Sequence, residues 1–339
     1  MKVLLTGTPG WLGNRFLEVL SSGFNGSAPP HTWEIRCLVQ EGIDSSFIDT
    51  LAKTAAIEKH TGDIARIDTL KNVAKDVDIV FHIAGIVHPK KIKELYQINS
   101  LGTENMLKVS VEAGVKRFIH ISSNSVAGTN THINKFMVEQ DKPNPYLNYG
   151  ISKYKAECAV NDYYQSGTIE TVILRACWFY GPHQPERQTT FFKMIKKGNP
   201  IIFGDGKNLR SLSYIDNLCQ AMLLAAENKN ANGQTYWIAD EKPYPTNEIY
   251  KTIAELLEVK YYKPIHVPHF ISKTFHALDI VLQGFGIYIK EVHVAGEMNK
   301  NIACSIEKAQ NELGYKPAIA LKEGMYNSIA WCRKQGIMI

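Results

Sequence analysis

The sequence contains few cysteines. Six are spread over 339 residues, with no C-x-x-C spacing and no histidine cluster beside them. This spacing argues against a zinc site and against a disulfide framework, so we expect no bound metal and a reducing, cytoplasmic location. The apolar run at the amino terminus stops at Gly7, so we also expect no signal peptide.

Long hydrophobic runs are also missing. No apolar stretch reaches the ~18 residues that identify a membrane-spanning helix. The best candidate, residues 270–289, contains Lys273, His276 and Asp279. We interpret it as an amphipathic helix that packs over a pocket, with contact to a membrane surface as the alternative. We therefore expect no stable membrane insertion.

Neither sign of charge dominates the composition. Lysine and arginine together number 38, aspartate and glutamate 33, and the formal net charge is +5. This excess is too small to imply a nucleic-acid partner, and it fits an anionic small-molecule substrate equally well. Hydrophobic residues make up 45% of the chain, which is typical of globular proteins. A length of 339 residues suggests about two domains.

The first half of the chain alternates short apolar segments with segments of helical periodicity. Strands are predicted at residues 3–5, 34–39, 78–83, 117–121 and 171–174. Helices are predicted after Gly13 and at residues 99–113 and 149–165. Continuous apolar strands that alternate with helices are typical of a parallel sheet covered on both faces. The pattern predicts an α/β fold with a doubly wound, Rossmann-type parallel sheet.

The pattern changes after Cys177. Prolines and glycines interrupt the second half, and helices are predicted at residues 246–257 and 321–332. A strand predicted at residues 235–238 returns to the first half, so we expect an interleaved boundary. The predicted domains are a Rossmann domain over residues 1–178, with a return near 207–240, and a smaller, mostly helical substrate domain over residues 179–339.

A glycine-rich turn follows the first predicted strand. It reads Thr-Gly-Thr-Pro-Gly-Trp-Leu-Gly over residues 6–13 and precedes a predicted helix. Glycines there allow a tight turn and let the backbone approach a pyrophosphate, for which the helix amino terminus supplies N–H donors. An ordinary strand–helix turn is the alternative. The candidate cofactor-binding residues of the turn are Gly7, Gly10, Trp11, Leu12 and Gly13.

The sequence does not clearly identify the residue that would bind the adenosine ribose. In Rossmann folds that bind NAD, an acidic residue ~20 positions after the turn binds the ribose 2′-hydroxyl. Gln40 occupies the expected position at the end of the second predicted strand, and Glu41 comes one residue later. No arginine follows that would pair with the 2′-phosphate of NADP. We expect NAD as the cofactor, with NADP left open as the alternative.

Tyr149 and Lys153 form a second candidate site. Residues four apart lie on one face of a helix, one turn from each other. A phenol has a pKa near 10, and a neighbouring ammonium group lowers that pKa because it favours the phenolate. The pair can then exchange a proton with a substrate alcohol or carbonyl during hydride transfer. A helix surface pair would be the simpler interpretation without the glycine turn.

Serines follow the strand predicted at residues 117–121. Ligands of open α/β sheets bind outside the carboxyl ends of the strands. Ser123 at this end can donate a hydrogen bond to a substrate oxygen and orient the substrate towards Tyr149. A serine-rich turn that caps the strand end is the alternative interpretation.

Further short motifs accompany these three sites in order along nearly the whole chain. They are Gly62-Asp63-Ile64, His82-Ile83-Ala84-Gly85, Asn99 with Gly102-Thr103, Gly128, Arg175, Tyr180-Gly181-Pro182, Gly204-Asp205-Gly206 with Arg210, Tyr214 with Asp216-Asn217, and Leu313-Gly314-Tyr315. With them the sequence resembles the extended short-chain dehydrogenases/reductases of the NAD-dependent epimerase/dehydratase type.

The resemblance implies a role for each matching position. Ser123, Tyr149 and Lys153 would be the catalytic residues, and Lys153 would also bind the nicotinamide ribose. The cofactor-binding residues would be those of the glycine turn together with Gln40, Asp63, Ile64, Ile83, Ala84, Gly85, Asn99, Tyr149, Lys153 and Cys177. The resemblance also implies a homodimer formed through the helices at residues 99–113 and 149–165.

Two departures from the family pattern bear on the reaction. Dehydratases of this type follow the catalytic hydroxyl residue with Asp-Glu, whereas Asn124 and Ser125 follow Ser123 here. This difference disfavours water elimination. Sugar epimerases often carry asparagine where this chain has Trp178, and a bulky ring there would instead pack an apolar substrate.

Arg210 favours an anionic substrate. The epimerases that the chain resembles place an arginine here on the substrate diphosphate, which a guanidinium binds in a bidentate way. Arg187 would add a second cation. The candidate substrate-binding residues are Ser123, Asn124, Trp178, Arg187 and Arg210. We therefore expect a nucleotide sugar, with a 3β-hydroxysteroid-type alcohol as the alternative and a non-catalytic dinucleotide sensor as a third interpretation.

Overall fold

The computed structural model describes residues 1–24 and 27–339 and is built around one large sheet. The strands are β1 (Lys2–Thr6), β2 (Glu34–Val39), β3 (Ile57–Thr61), β4 (Ile79–His82), β5 (Arg117–Ser123), β6 (Glu170–Ala176), β7 (Trp178–Tyr180), β8 (Ile201–Phe203), β9 (Leu209–Arg210), β10 (Leu212–Tyr214), β11 (Gln234–Ile238), β12 (Tyr244–Pro245) and β13 (Ile265–Val267). Seven of them form the sheet in the order β11-β6-β5-β4-β1-β2-β3, and all its pairs are parallel. This order confirms the predicted doubly wound fold.

Helices cover both faces of the sheet and build most of the second half of the chain. They are α1 (Trp11–Ser22), α2 (Ser46–Leu51), α3 (Ile92–Leu95), α4 (Gly102–Glu112), α5 (Leu147–Gln165), α6 (Glu186–Lys196), α7 (Ile215–Glu227), α8 (Thr246–Leu256), α9 (His269–Gly284), α10 (Lys290–Glu297), α11 (Glu307–Leu313) and α12 (Leu321–Lys334). A π-helical turn at Tyr96–Leu101 joins α3 to α4, so the helix predicted at residues 99–113 begins earlier than expected.

Side chains of the strands alternate between two hydrophobic cores. Val3 and Leu5 of β1 lie in the core that also contains Phe16 of α1. Leu4 lies in the opposite core, together with Phe118 of β5. Because helices bury both faces, the central strands are continuous apolar runs instead of alternating with polar residues.

The apolar pattern does not predict β3. Its five residues read Ile-Glu-Lys-His-Thr, and it lies at one edge of the sheet with β2 as its neighbour. Edge strands tolerate charged side chains because part of the strand faces water. The hydrophobic run that marks the central strands is therefore missing here.

The second half of the chain has a hydrophobic core of its own. Tyr180, Phe192, Tyr214, Tyr250 and Met325 are buried in it. The short strand pairs β7/β10, β8/β13 and β9/β12 belong to this half. β11 comes from the same half but pairs with β6, so the main sheet is completed by a segment beyond residue 178. The two halves are therefore interleaved.

α9 and α10 pack on each other as a helical hairpin, residues 269–297. The sequence predicts one helix over residues 270–289, but α9 ends at Gly284. Gly286 then has a φ angle of +78°, a left-handed conformation that favours glycine and stops the helix. Over residues 1–24 and 27–339, none of the helices combines the length and the apolar character needed to cross a bilayer.

Arg175 on β6 and Glu157 on α5 form a buried ion pair. Arg175 Nε and Nη2 donate to the Glu157 carboxylate at 3.0 and 2.7 Å. Ser122 Oγ donates to the same carboxylate at 2.5 Å. Because Glu157 is only 2% exposed, this cluster fixes α5 against β5 and β6. The same helix carries Tyr149 and Lys153.

The substitution Arg175→Met should lower the free energy of unfolding by about 3–5 kcal/mol, because it leaves the Glu157 carboxylate buried without its cation. Urea unfolding followed by circular dichroism measures the loss. The control Arg66→Met removes a pair with Asp68 whose side chains are 64% and 75% exposed. It should change the free energy of unfolding by less than ~1 kcal/mol. Equal losses in the two variants would contradict the structural role of the buried pair.

Candidate active site at the carboxyl edge of the sheet

The glycine turn joins β1 to α1 at the carboxyl edge of the sheet. Gly7 has a φ angle of +88°, and a Cβ atom there would lie 2.8 Å from the Ala84 nitrogen and 3.0 Å from the carbonyl carbon of Ile83. A Cβ atom on Gly10 would lie 2.6 Å from the carbonyl oxygen of Gly7, and one on Gly13 would collide with that oxygen. No larger residue fits at these three positions, so the turn packs directly on the segment that follows β4.

The amino terminus of α1 is suited to an anion. Gly10 precedes the helix and has no side chain that could cap the first N–H groups. Thr8 Oγ1 is buried in the turn without a hydrogen-bond partner among the described residues. Unpaired N–H groups and the helix dipole attract negative charge. Leu12 is 3% exposed and anchors the first turn of the helix in the core.

Trp11 links the glycine turn to the second half of the chain. Its Nε1 donates to the carbonyl oxygen of Pro182 at 2.7 Å, and its ring centroid lies 4.9 Å from that of Phe179. The guanidinium group of Arg187 lies over the same indole ring at 5.6 Å. The structure therefore places Arg187, a predicted substrate-binding residue, beside the glycine turn.

The ends of β2 and β3 bring Gln40 next to Asp63. Gln40 Nε2 donates to Asp63 Oδ2 at 3.2 Å, although the two residues are 23 positions apart. The Asp63 carboxylate thus lies beside Gln40, the neutral residue at the position expected to bind the ribose. This carboxylate would repel the 2′-phosphate of NADP. Ile64 follows and is 8% exposed. It packs on Gly102, where a Cβ atom would lie 2.8 Å from Ile64 Cδ1.

The segment after β4 is fixed from two sides. Ala84 N–H donates to Thr6 Oγ1 of β1 at 3.1 Å. Asn99 Oδ1 accepts from the Ile86 N–H at 2.8 Å, and Asn99 Nδ2 donates back to the Ile86 carbonyl at 2.9 Å. A Cβ atom on Gly85 would lie 3.1 Å from Asn99 Oδ1. Asn99 is fully buried, so it holds this segment in place by hydrogen bonds.

Tyr149 lies in the first turn of α5, beside Ser123, the last residue of β5. Ser123 Oγ accepts from the Ser125 N–H at 3.2 Å. Burial raises the pKa of Tyr149, while the Ser123 hydroxyl and the charge of Arg187 lower it. The sequence predicts that Lys153 lowers this pKa. In the structure the effect of burial is the larger one, so the phenol is protonated at neutral pH.

Lys153 lies one turn further along α5 and is 4% exposed. Its Nζ donates to the Ile121 carbonyl oxygen at 2.7 Å and lies 3.3 Å from His120 Nε2. Burial lowers the pKa of Lys153 to about 8, although Glu157 raises it. A Cβ atom on Gly85 would lie 4.0 Å from this Nζ. The amine is therefore next to the segment that follows β4.

Three more of the predicted site residues lie at the ends of β5 and β6. Asn124 Oδ1 lies 3.5 Å from the neighbouring serine hydroxyl. The ring of Trp178 packs edge-on against Phe191 at 5.4 Å. Cys177 is 3% exposed, and its thiol lies 3.5 Å from that of Cys304 in the core. Only the backbone of Cys177 therefore lies at the end of β6, because its thiol is buried in the core.

Arg210 is already engaged at the carboxyl terminus of α10. Its Nη1 donates to the carbonyl oxygens of Glu297 and Lys300 at 3.3 and 3.5 Å, and its Nη2 donates to the Glu297 carboxylate at 3.2 Å. An arginine in this place satisfies free carbonyl groups and interacts favourably with the helix dipole. A substrate anion would have to compete with Glu297 for this guanidinium group.

The hairpin supplies a polar cluster that the sequence analysis missed. Asp279 is fully buried, and its Oδ2 lies 2.8 Å from His293 Nδ1. Gln283 Nε2 donates to Asp279 Oδ1 at 2.9 Å, and Gln283 Oε1 accepts from Asn148 Nδ2 at 3.0 Å. Asn148 is the residue before Tyr149. The signal for this cluster in the sequence is an aspartate inside an otherwise apolar segment.

The groups at this edge of the sheet suit three kinds of chemistry. The glycine turn and the start of α1 suit phosphate oxygens. The Asp63 carboxylate suits ribose hydroxyls. Ser123, Tyr149 and Lys153 suit proton exchange with an alcohol or carbonyl group. This combination indicates a dinucleotide site next to a site for an alcohol substrate.

Comparisons with known proteins agree with this arrangement. Residues 3–239 match the model of the NAD dependent epimerase/dehydratase family. The chain is 41% identical to the uncharacterized protein y4nL of Sinorhizobium fredii, over 98% of this chain and 96% of that protein. It is 27% identical to UDP-glucose 4-epimerase of Vibrio cholerae, over 95% of this chain and 92% of that enzyme.

Solved structures share the fold. The chain superimposes on UDP-glucuronic acid 4-epimerase from Bacillus cereus, solved in complex with NAD, with a TM-score of 0.77 over 100% of both chains and 23% identity. The family model spans more than half of the chain, including the glycine turn and all three candidate catalytic residues. The chain therefore belongs to the NAD-dependent epimerase/dehydratase family, the enzymes of extended short-chain dehydrogenase/reductase type that its motifs resemble.

Proposed function

We propose that the protein transfers a hydride reversibly between NAD and a secondary alcohol of a nucleotide sugar, with epimerisation or oxidoreduction at C4 as the reaction. The observation that carries the proposal is the placement of Tyr149, in the first turn of α5, beside Ser123 at the end of β5, with Lys153 one turn further along α5. Two similar proteins, a UDP-glucose 4-epimerase and a UDP-glucuronic acid 4-epimerase, support the substrate class.

The residues of the chain fit NAD. The crowded glycine turn and the orphaned hydroxyl of Thr8 at the start of α1 would hold the pyrophosphate. Arg187, which lies over Trp11, would add a positive charge there. Asp63, paired with Gln40, would accept hydrogen bonds from the adenosine ribose hydroxyls, which favours NAD over NADP.

Ser123, Tyr149 and Lys153 would bind the substrate alcohol and transfer its proton. NAD accepts or returns the hydride when it is bound. Ser123 would hydrogen bond the substrate oxygen, and Tyr149 would exchange a proton with that oxygen. Burial keeps the phenol protonated, which suits reduction of a carbonyl. In the oxidative direction, the positive charges of Arg187 and Lys153 would favour the phenolate.

The residues after Ser123 support epimerisation or net oxidoreduction over dehydration. Asn124 and Ser125 stand where an acid and a base would be needed to eliminate water. The Asn124 amide oxygen and the hydroxyl of Ser125 both lie within 3.5 Å of Ser123 Oγ. Neither side chain ionises near neutral pH, so neither can take the place of a carboxyl pair.

We also propose a homodimer and a cytoplasmic location. The helices expected at the dimer interface expose the apolar side chains of Leu101, Ile151 and Tyr164, which are 43%, 37% and 38% exposed. Apolar and aromatic side chains of this kind are typical of the buried centre of a subunit interface. All six cysteines are free in the described structure, which fits a reducing compartment.

Tyr149→Phe should reduce kcat by at least about 100-fold, because the ring remains while the proton relay is lost. The affinity for NAD, measured by isothermal titration calorimetry, should be nearly unchanged. Tyr261→Phe, at a position that is 88% exposed, is the matched control and should leave both quantities unchanged. If Tyr149→Phe retained most of the activity, the proposed mechanism would be wrong.

Lys153 should make stability depend on pH. Its pKa is about 8 in the folded protein against 10.5 for an ordinary lysine, so the unfolded chain binds more protons between these values. The free energy of unfolding should therefore rise with pH from about 8 to 10.5, by roughly 2–3 kcal/mol relative to Lys153→Met.

Urea unfolding of the wild type and of Lys153→Met at about pH 7.5 and about pH 10 would measure this rise in the free energy of unfolding. The exposed Lys155 on the same helix provides the control, Lys155→Met, which should follow the wild-type profile. Lys153→Met should also lower NAD affinity and turnover. Parallel pH profiles for wild type and Lys153→Met would contradict the assignment.

Arg210→Ala should raise KM for a nucleotide sugar by roughly 10- to 150-fold, because it removes one charged partner of the diphosphate. Glu297→Gln provides the opposite change, since it removes the negative charge from the same ion pair but keeps the guanidinium group. It should lower KM or leave it unchanged. If Arg210 only holds α10 in place, both variants should instead raise KM and lower the unfolding temperature together.

Trp178→Ala separates the sugar from the hydroxysteroid-type alternative. The ring of Trp178 packs against Phe191 and would form the wall of an apolar substrate pocket. A steroid-type enzyme should lose most of its activity in this variant and be insensitive to Arg210→Ala. That outcome would exclude the nucleotide sugar and retain the dehydrogenase.

A further inference from the structure

Helix α9 has its polar side facing the protein and its apolar side facing outwards. Ser272 and Asp279 are fully buried, and Gln283 is 5% exposed. By contrast, Phe270 and Phe285 are 65% and 80% exposed. A helix that meets only water on its outer side shows the opposite arrangement, with its apolar residues towards the core.

Hydrogen bonds fix this orientation. Ser272 Oγ donates to the Ala295 carbonyl oxygen of α10 at 2.7 Å. Asp279 binds His293 of α10, and Gln283 binds Asn148 at the start of the catalytic helix. Rotation of α9 to hide its apolar side would leave these buried polar groups unsatisfied. The outward apolar surface is therefore a fixed feature of the folded protein.

The apolar surface continues beyond α9. Leu278, Ile280 and Val281 are 44%, 48% and 55% exposed, and Ile287 and Ile289 in the following loop are 49% and 39% exposed. Together with the two phenylalanines, these seven residues are called the hairpin patch. A contiguous set of large exposed apolar side chains on one element marks an interaction site.

The charges around the hairpin patch point to an anionic occupant. Residues 258–291 carry four exposed lysines and two exposed glutamates. The lysines are Lys260, Lys263, Lys273 and Lys290. In a symmetric dimer the same surface lies on both sides of the interface, so two surfaces with the same excess of positive charge would face each other. An anionic bilayer offers both an apolar layer for the phenylalanines and negative headgroups for the lysines.

We propose that the hairpin patch docks the protein on the surface of an anionic lipid bilayer, with α9 lying in the plane of the interface. The finding that none of the described helices can cross a bilayer agrees with attachment at the surface. The inner side of the same hairpin contacts the start of α5, so docking brings the catalytic edge of the sheet close to the membrane. This inference is independent of the substrate proposed above.

Flotation with lipid vesicles tests the proposal. The wild-type protein should float with vesicles of phosphatidylcholine mixed with phosphatidylglycerol, and the bound fraction should fall at high salt. The double variant Phe270→Glu/Phe285→Glu should bind these vesicles at least about tenfold more weakly, because it removes the two most exposed rings of the patch. Both positions are exposed, so the variant should fold normally.

A matched control introduces two glutamates at exposed apolar positions outside the hairpin patch. Tyr326→Glu/Met338→Glu alters residues that are 57% and 84% exposed and lie outside the hairpin patch, and it should bind vesicles like the wild type. Absence of binding to anionic vesicles, or equal binding by the patch variant and the wild type, would overturn the proposal. Sedimentation velocity without lipid measures the oligomeric mass of the wild type and of the patch variant. If the patch variant changed the oligomeric mass, the patch would be an interface between copies of the chain instead.

Discussion

The close packing of the glycine turn on the segment after β4 is the constraint on which the site depends. Gly7 leaves no space for a side chain next to Ala84, and the Thr6 hydroxyl accepts a hydrogen bond from the Ala84 N–H. This contact sets the start of α1 and the end of β4 at fixed positions. Asn99 and Lys153 then contact the same segment from the other side. The turn, the segment after β4 and the side chains of Asn99 and Lys153 therefore lie together at one edge of the sheet.

Helix α5, which carries Tyr149 and Lys153, is attached to the rest of the protein at two places. Within the sheet, Glu157 binds Arg175 and Ser122, which ties the middle of the helix to β5 and β6. At its start, Asn148 binds Gln283 of the hairpin. Tyr149 lies between these two attachments. The position of the phenol therefore depends on both the Rossmann half and the second half of the chain, although its sequence neighbours belong to the first.

The hairpin couples the catalytic edge to the outer surface of the protein. Its buried side carries polar groups that bind the start of α5, Arg210 and each other, and the outer side of α9 is apolar. Arg210 illustrates the same coupling, since it binds the carboxyl terminus of α10 through Glu297 and is the residue that we propose for the substrate diphosphate. An anion bound at Arg210 would have to displace the Glu297 carboxylate of the hairpin.

Local patterns in the sequence determined the central strands, the glycine turn and the Tyr149–Lys153 pair. Each depends on residues close in the chain: a continuous apolar run, glycines three apart, or two side chains one helical turn apart. They were therefore sufficient to predict the Rossmann fold and the family. The edge strand β3 escaped prediction because its polar residues carry no hydrophobic signal.

Only the tertiary structure decided which polar and charged side chains lie next to each other. The Gln40–Asp63 pair joins residues 23 positions apart, and Arg210 meets Glu297 across 87 positions. Burial, and not the neighbouring lysine, sets the direction in which the pKa of Tyr149 moves. The outward apolar side of α9 likewise follows from long-range hydrogen bonds on its other side. Solvent exclusion and pairing between distant segments are properties of the folded chain, so no local spacing in the sequence encodes them.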